Sequence, residues 1–109
     1  MSLYSEYKLE REGKLTLELE NVLVIYKAES PVLYIEDVFV RESARAKGLD
    51  KRVILDLAET YKQKGFSKIA TSVAIATARS TENLARNLRL GFKLSHADGQ
   101  LIYLIREIP

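Results

Sequence analysis

The side chains most suited to chemistry lie in one stretch, Arg41-Glu42-Ser43-Ala44-Arg45-Ala46-Lys47-Gly48-Leu49-Asp50-Lys51. It is a basic turn with a single glycine, and an apolar helical pattern begins directly after it. A turn that opens a helix offers unpaired backbone N–H groups and the positive end of the helix dipole, which together suit an anionic phosphate. Gly48 would let backbone and ligand approach closely. The same residues also describe an ordinary strand-to-helix loop with solvated lysines and arginines, and Asp50 suits a helix N-cap, where its carboxylate would take the amides a phosphate would use. A third use of the charge is nucleic-acid binding through Arg41, Arg45, Lys47, Lys51 and Arg52, joined by Arg79, Arg86, Arg89 and Lys93. Glu42, Asp50 and Glu82 dilute that patch, and it has no aromatic stacking platform, so nucleic acid is not the expected partner.

The elements that would position this turn follow from periodicity. Residues 14–20 alternate, with Leu15, Leu17 and Leu19 on one face and Thr16, Glu18 and Glu20 on the other, the pattern of a half-buried strand. Residues 22–26 follow after too short a gap for a crossover, so the two form an antiparallel hairpin. Residues 4–10 read as a further strand ahead of them. After Pro31, residues 32–40 form a long β-branched and aromatic strand, interrupted by the polar pair Glu36-Asp37. Residues 49–64 carry a helical stripe (Val53, Ile54, Leu57, Ala58, Tyr61) ended by Gly65. Residues 69–75 read as a buried strand. Residues 80–90 read as a second helix with Leu84 and Leu88 inward, ended by Gly91. Residues 92–94 and 101–108 form a closing hairpin around Ala97-Asp98-Gly99. A helix between the strands at 32–40 and 69–75 makes them parallel neighbours through a right-handed crossover. The expected fold class is mixed α/β: a mostly antiparallel sheet, a central parallel strand pair and two packed helices.

Composition narrows the chemistry. A chain of 109 residues with 47% apolar content makes one domain, residues 1–109. It has no cysteine and a single histidine, which removes thiolate chemistry and leaves any metal site to carboxylates, so no metal is expected. His96, beside a turn, reads as a surface residue. The net charge of +2 does not mark a nucleic-acid binder. Without a leader pattern or a long apolar run, a cytoplasmic protein is expected.

From residue 40 through residue 55 the chain resembles the acetyl-CoA signature of the GNAT acyltransferases, R/Q-x-x-G-x-G/A between a strand and a helix, here Arg45-Ala46-Lys47-Gly48-Leu49-Asp50. Lys64-Gly65-Phe66 and Leu88-Arg89-Leu90-Gly91-Phe92 resemble the family's punctuation further on, so the likeness runs from Val32 to the C-terminus. It implies an N-acetyltransferase that uses acetyl-CoA as co-substrate and a primary amine as acceptor, without a covalent enzyme intermediate. It also implies a V-shaped opening between two parallel strands, where pantetheine bonds to the backbone of Val38, Phe39 and Val40. The pyrophosphate would rest on the amides of Ala46, Lys47, Gly48, Leu49, Asp50 and Lys51, which follow Arg45, and Lys47, Lys51 or Arg52 would meet the phosphates of the nucleotide end. Glu36 lies in a segment similar to the central strand of polyamine-type members and is the candidate base for the ammonium proton. Ser80 and Asn83 fall where the family places an asparagine.

Three departures accompany the likeness. Asp50 stands where the family prefers glycine or alanine, and Asn87 replaces the tyrosine that protonates the departing thiolate, although an amide can only hydrogen-bond there. The third is that the residues between 11 and 14 leave no room for the family's usual first two helices. The acceptor side is therefore expected to be open, covered by a homodimer or a protein partner, or used by a macromolecular acceptor. A catalytically degenerate domain serving as a protein-interaction or ligand-binding module is the alternative function.

Overall fold

The structure, a computed structural model, describes residues 2–75 and 80–108. The elements in chain order are α1 (Leu3–Glu12), β1 (Leu15–Glu18), β2 (Val22–Glu29), β3 (Val32–Val40), α2 (Leu49–Lys62), β4 (Lys68–Ala74), α3 (Ser80–Arg89), β5 (Lys93–Asp98) and β6 (Leu101–Glu107). The strands form one sheet in the order β1-β2-β3-β4-β6-β5. Every pairing is antiparallel except β3 with β4, which is parallel, as a helical crossover between them requires.

The core lies on one face of this sheet. Val24, Leu33, Ile69 and Leu104 come from four adjacent strands and are fully buried. The stripe read from the sequence of α2, Val53, Ile54, Leu57, Ala58 and Tyr61, packs onto them. Burying an aliphatic side chain of this size contributes ~1.5–3 kcal/mol, so the β2-β3-β4-β6 centre and α2 hold the fold. Leu84 of α3 and Phe92 after it extend the same core toward β4.

Three expectations need correction. Residues 4–10 belong to a helix and not to a strand, so the fold carries three helices among the described residues. Ser2 caps α1 by accepting from the Ser5 N–H at 3.0 Å, Lys8 pairs with Glu12 at 2.7 Å one turn on, and Gly13 ends it in the left-handed conformation (φ 67°). These local terms decide the matter because the segment's apolar residues are not core: Leu3, Tyr4, Tyr7 and Leu9 are all exposed. Leu19 is also exposed, since β1 stops at Glu18 and the Leu19 N–H turns to the Val22 carbonyl at 2.8 Å. Leu88 is half exposed, because α3 turns Leu84 and not Leu88 to the core.

α1 packs against β1. The Ser5 hydroxyl meets Thr16 and Glu18, whereas Leu15 and Leu17 join the core. α1 therefore lies on the sheet face opposite α2. No helix among the described residues is long and apolar enough to cross a membrane.

Candidate functional site

β3 and β4 pair only over their first halves, from Val32↔Lys68 to Ile35↔Thr71. The cause lies in β3 itself. Ile25 of β2 faces Asp37 and the next residue, Tyr26, faces Ile35, so Glu36 is an extra residue in β3 with no partner across the ladder. A bulge of this kind bends its strand. Beyond it β3 keeps its bonds to β2 while β4 keeps its bonds to β6, and the two parallel strands part. The Thr71 hydroxyl donates to the Ile35 carbonyl at 2.9 Å at the last closed point.

The Arg41 N–H bonds the Asn21 carbonyl. By the two-residue alternation of a strand, the peptide groups of Phe39 and Asp37 also face β2, and those of Val38 and Val40 face the opening. One of these open-side groups is already used: Arg45 Nε donates to the Val40 carbonyl at 3.0 Å, with its guanidinium over the Phe39 ring at 5.8 Å. Val38 keeps a peptide group turned toward the gap.

Two adjoining cavities fill the opening. The inner one, about 120 Å³, is lined by Glu36, Val38, Asp50, Asn83, Arg86 and Asn87 together with core residues around Ile35, Thr71 and Phe92. The outer one, about 460 Å³, is lined by Val38, Phe39, Val40, Arg45, Ala46, Gly48, Leu49, Asp50, Asn83 and Arg86. Asp37, Val38, Asp50, Asn83 and Arg86 border both, so the two form one groove running from the bulge to the start of α2. Its size suits a small-molecule ligand.

The outer end is shaped by a tight turn. Ala46 (φ 66°) and Gly48 (φ 72°) are both left-handed. A Cβ at Gly48 would meet nothing within 4 Å, so the demand for glycine there comes from backbone conformation and not from crowding. Gly48 is the N-cap of α2 and offers no side chain to it, which leaves the first amides of the helix beside the groove without a side-chain cap. The N-cap reading of Asp50 is thereby corrected: Asp50 lies inside the first turn, and its carboxylate reaches across the groove to Arg86 Nε of α3 at 3.7 Å.

At the inner end, Glu36 is not free. Lys14, which leaves the α1 cap for β1, places its Nζ 2.6 Å from Glu36 Oε1 and 3.4 Å from Glu12 Oε1. The hydrogen bond to Glu36 raises the Lys14 ammonium above the ordinary lysine value, and Glu12 adds to the effect. Asn87 Nδ2 donates to the Asn83 carbonyl one turn back at 3.0 Å, which turns that amide along its own helix.

Of the residues singled out from the sequence, Glu36, Val38, Phe39, Val40, Arg45, Ala46, Gly48, Leu49, Asp50, Asn83 and Asn87 line the groove. Lys47 and Lys51 are exposed beside its outer end and Ser80 begins α3, but none of the three lines it. Arg79, part of the basic patch, lies outside the described residues. Sequence reasoning overlooked Lys14 and Arg86 as site residues. Arg86 follows Asn83 by three positions, a spacing that places both on one helix face and could have flagged it; nothing local to Lys14 points to Glu36.

Known proteins share this fold. The structure superposes on a PaiA N-acetyltransferase from Thermoplasma acidophilum in complex with coenzyme A, with a TM-score of 0.74 and 14% identity over 96% of this chain and 68% of that one. It also matches nourseothricin acetyltransferase, with a TM-score of 0.71 and 19% identity over 82% of this chain, although it spans only 58% of that protein. A Bacillus subtilis acetyltransferase in complex with CoA gives a TM-score of 0.68 and 19% identity over 95% of this chain and 82% of that one. No curated protein matches the sequence closely enough to count as a relative. The model of the acetyltransferase (GNAT) family matches residues 10–92, from the last turn of α1 through the parted strands to the glycine turn after α3. With the groove, its helix mouth and most of the sheet inside that match, the chain belongs to the acetyltransferase (GNAT) family.

Proposed function

We propose that residues 1–109 act as one domain that transfers an acetyl group from acetyl-CoA directly to a primary amine. The observation that carries this reading is the single groove joining an uncapped helix start at one end to a carboxylate at the other, between two parallel strands forced apart by a bulge. Val38 would bond the pantetheine arm and, with its N–H, polarise the thioester carbonyl. The amides of residues 46–51 would hold the pyrophosphate, helped by Lys47, Lys51 and Arg52 as exposed cations, each worth ~0.2–1 kcal/mol. Asn83 would border the ligand from α3, and Ser80, at the start of that helix, would meet only a part of the ligand that extends beyond the groove lining. Glu36 would accept the proton of the incoming ammonium as its nitrogen attacks the carbonyl carbon. Asn87 can hydrogen-bond the departing sulfur but cannot protonate it, so the thiolate takes its proton from solvent.

A second reading is favoured by the Lys14–Glu36 contact at 2.6 Å, which occupies the base: a domain that binds coenzyme A or a protein partner without catalysing transfer. Calorimetric titration with acetyl-CoA, followed by thiol release with a panel of amines, separates the two. Binding with amine-dependent thiol release, lost in Glu36→Gln, supports the transferase. Binding without release supports the second reading, and the absence of binding refutes both the groove assignment and the proposed reaction.

A further inference from the structure

Lys14 is held in an unusual place for a lysine. Its side chain is 18% exposed and its Nζ lies between two carboxylates, closer to Glu36 than to Glu12. Its backbone is fixed from both sides. The Lys14 N–H closes the end of α1 on the Lys8 carbonyl at 3.1 Å, and the next residue, Leu15, is the first rung of the β1–β2 ladder. Glu36 in turn sits on the bulge that parts β3 from β4 and lines the inner cavity. Lys14 reaches it from the α1 face of the sheet, whereas α2 and α3 border the groove from the opposite face.

We propose that Lys14 is itself an acetyl acceptor, modified within its own chain by an acetyl thioester bound in the groove. The inference rests on the proposed function, because it uses the same thioester and the same base. The Lys14 Nζ already makes the contact that a general base needs with its proton donor, within the 2.6–3.2 Å that proton transfer requires. In the step, one proton of the ammonium passes to Glu36 as the nitrogen lone pair so freed forms the N–C bond to the thioester carbonyl carbon. The C–S bond then breaks as the nitrogen gives a second proton to solvent, and the sulfur leaves with the bonding electron pair and takes up a proton from solvent. The products are an Nε-acetyl-lysine, a free thiol and one proton released from Glu36. Because the amine is tethered at both backbone ends, the reaction has the advantage of a fixed partner over one drawn from solution. Acetylation removes the charge of Lys14 and with it both ion pairs, leaving Glu36 free of its cation.

The test uses the full chain incubated with acetyl-CoA and sampled over time, with peptide mass spectrometry reading each lysine separately. Lys14 should gain one acetyl group at least about tenfold faster than the exposed Lys93, a conservative share of the 10²–10⁴ that a positioned base supplies. The rate constant should not change as the protein is diluted. Glu36→Gln should remove the advantage while its melting transition shows a folded chain, and Lys14→Arg should remove the fast site altogether. Labelling of Lys14 no faster than Lys93, or a rate that falls with dilution, overturns the proposal. A chain that acetylates a free amine yet leaves Lys14 unlabelled overturns this inference alone, whereas a chain that binds no acetyl-CoA overturns the proposed function beneath it.

Discussion

Replacing Asp50 by alanine tests the groove most directly, because Asp50 is the carboxylate in the first turn of α2, where an anion would sit, and it is paired with Arg86 at 3.7 Å. Take a ligand phosphate roughly one helical pitch, ~6 Å, from each of these charges. In a water-like medium a unit pair at that distance is worth 332/(80 × 6), ~0.7 kcal/mol, and about twice that for a doubly charged pyrophosphate. Repulsion from Asp50 and attraction to Arg86 therefore nearly cancel in the native chain. Asp50→Ala leaves Arg86 unopposed, and acetyl-CoA should bind roughly five- to tenfold more tightly. Arg86→Leu leaves Asp50 unopposed, and binding should weaken by a similar factor. The double variant should return close to the native affinity. Loss of the pair, with side chains 24% and 45% exposed, costs only ~0.2–1 kcal/mol of stability, and loss of an acidic residue from the first turn of α2 costs ~0.3–1 kcal/mol more. Calorimetry at low and high salt is the assay, since near 1 M salt the Debye length of ~3 Å should erase the differences. Equal affinity in all four proteins at low salt would show that no anion sits at the start of α2.

The packing of the core and the turn after α3 set further outcomes. Leu33→Ala empties a fully buried site where β3 meets α2, and chemical denaturation should show a loss of ~2–5 kcal/mol with the fold retained. Burial, followed by the hydrogen bond shared with the Tyr61 hydroxyl (3.1 Å), pushes the Tyr26 phenol well above its ordinary value of 10.0. A proton bound more tightly in the folded state means stability that is intact below pH 10.0 and falls as pH rises above it. The melting temperature of Tyr26→Phe should fall less steeply over that range, while at neutral pH the orphaned Tyr61 hydroxyl should cost ~1–3 kcal/mol. Gly91→Ala would bring a Cβ to 3.3 Å from the Arg106 guanidinium at a φ of +93°, and Arg106 also bonds the Leu90 carbonyl. Strain of ~1–3 kcal/mol should appear in the denaturation midpoint.

What the sequence revealed of this fold, and what it hid, divides along the range of the forces involved. β3, α2, β4 and β6 are held by periodic apolar residues that end up in one core, so their pattern is legible, whereas β5 is exposed along its whole length. The parallel pairing of β3 and β4 follows from the helix between them and the handedness of crossovers. α1 escaped because its apolar residues are exposed and give no core-facing period; what specifies it is the pair of caps, Ser2 and Gly13. At the site, the glycine turn and most of the groove lining were legible because they are consecutive in the chain. The ion pairs were not, since Lys14–Glu36 and Asp50–Arg86 join residues far apart in sequence. Lys14 meets Glu36 across β2 where one extra residue bulges β3. Strand alternation says which side a residue faces but not where a ladder slips by one, and that slip both opens the groove and sets its carboxylate in reach of a lysine from the far face. The groove therefore turns on a bulge whose trace in the sequence is the pair of adjacent acidic residues, Glu36 and Asp37, in an apolar strand.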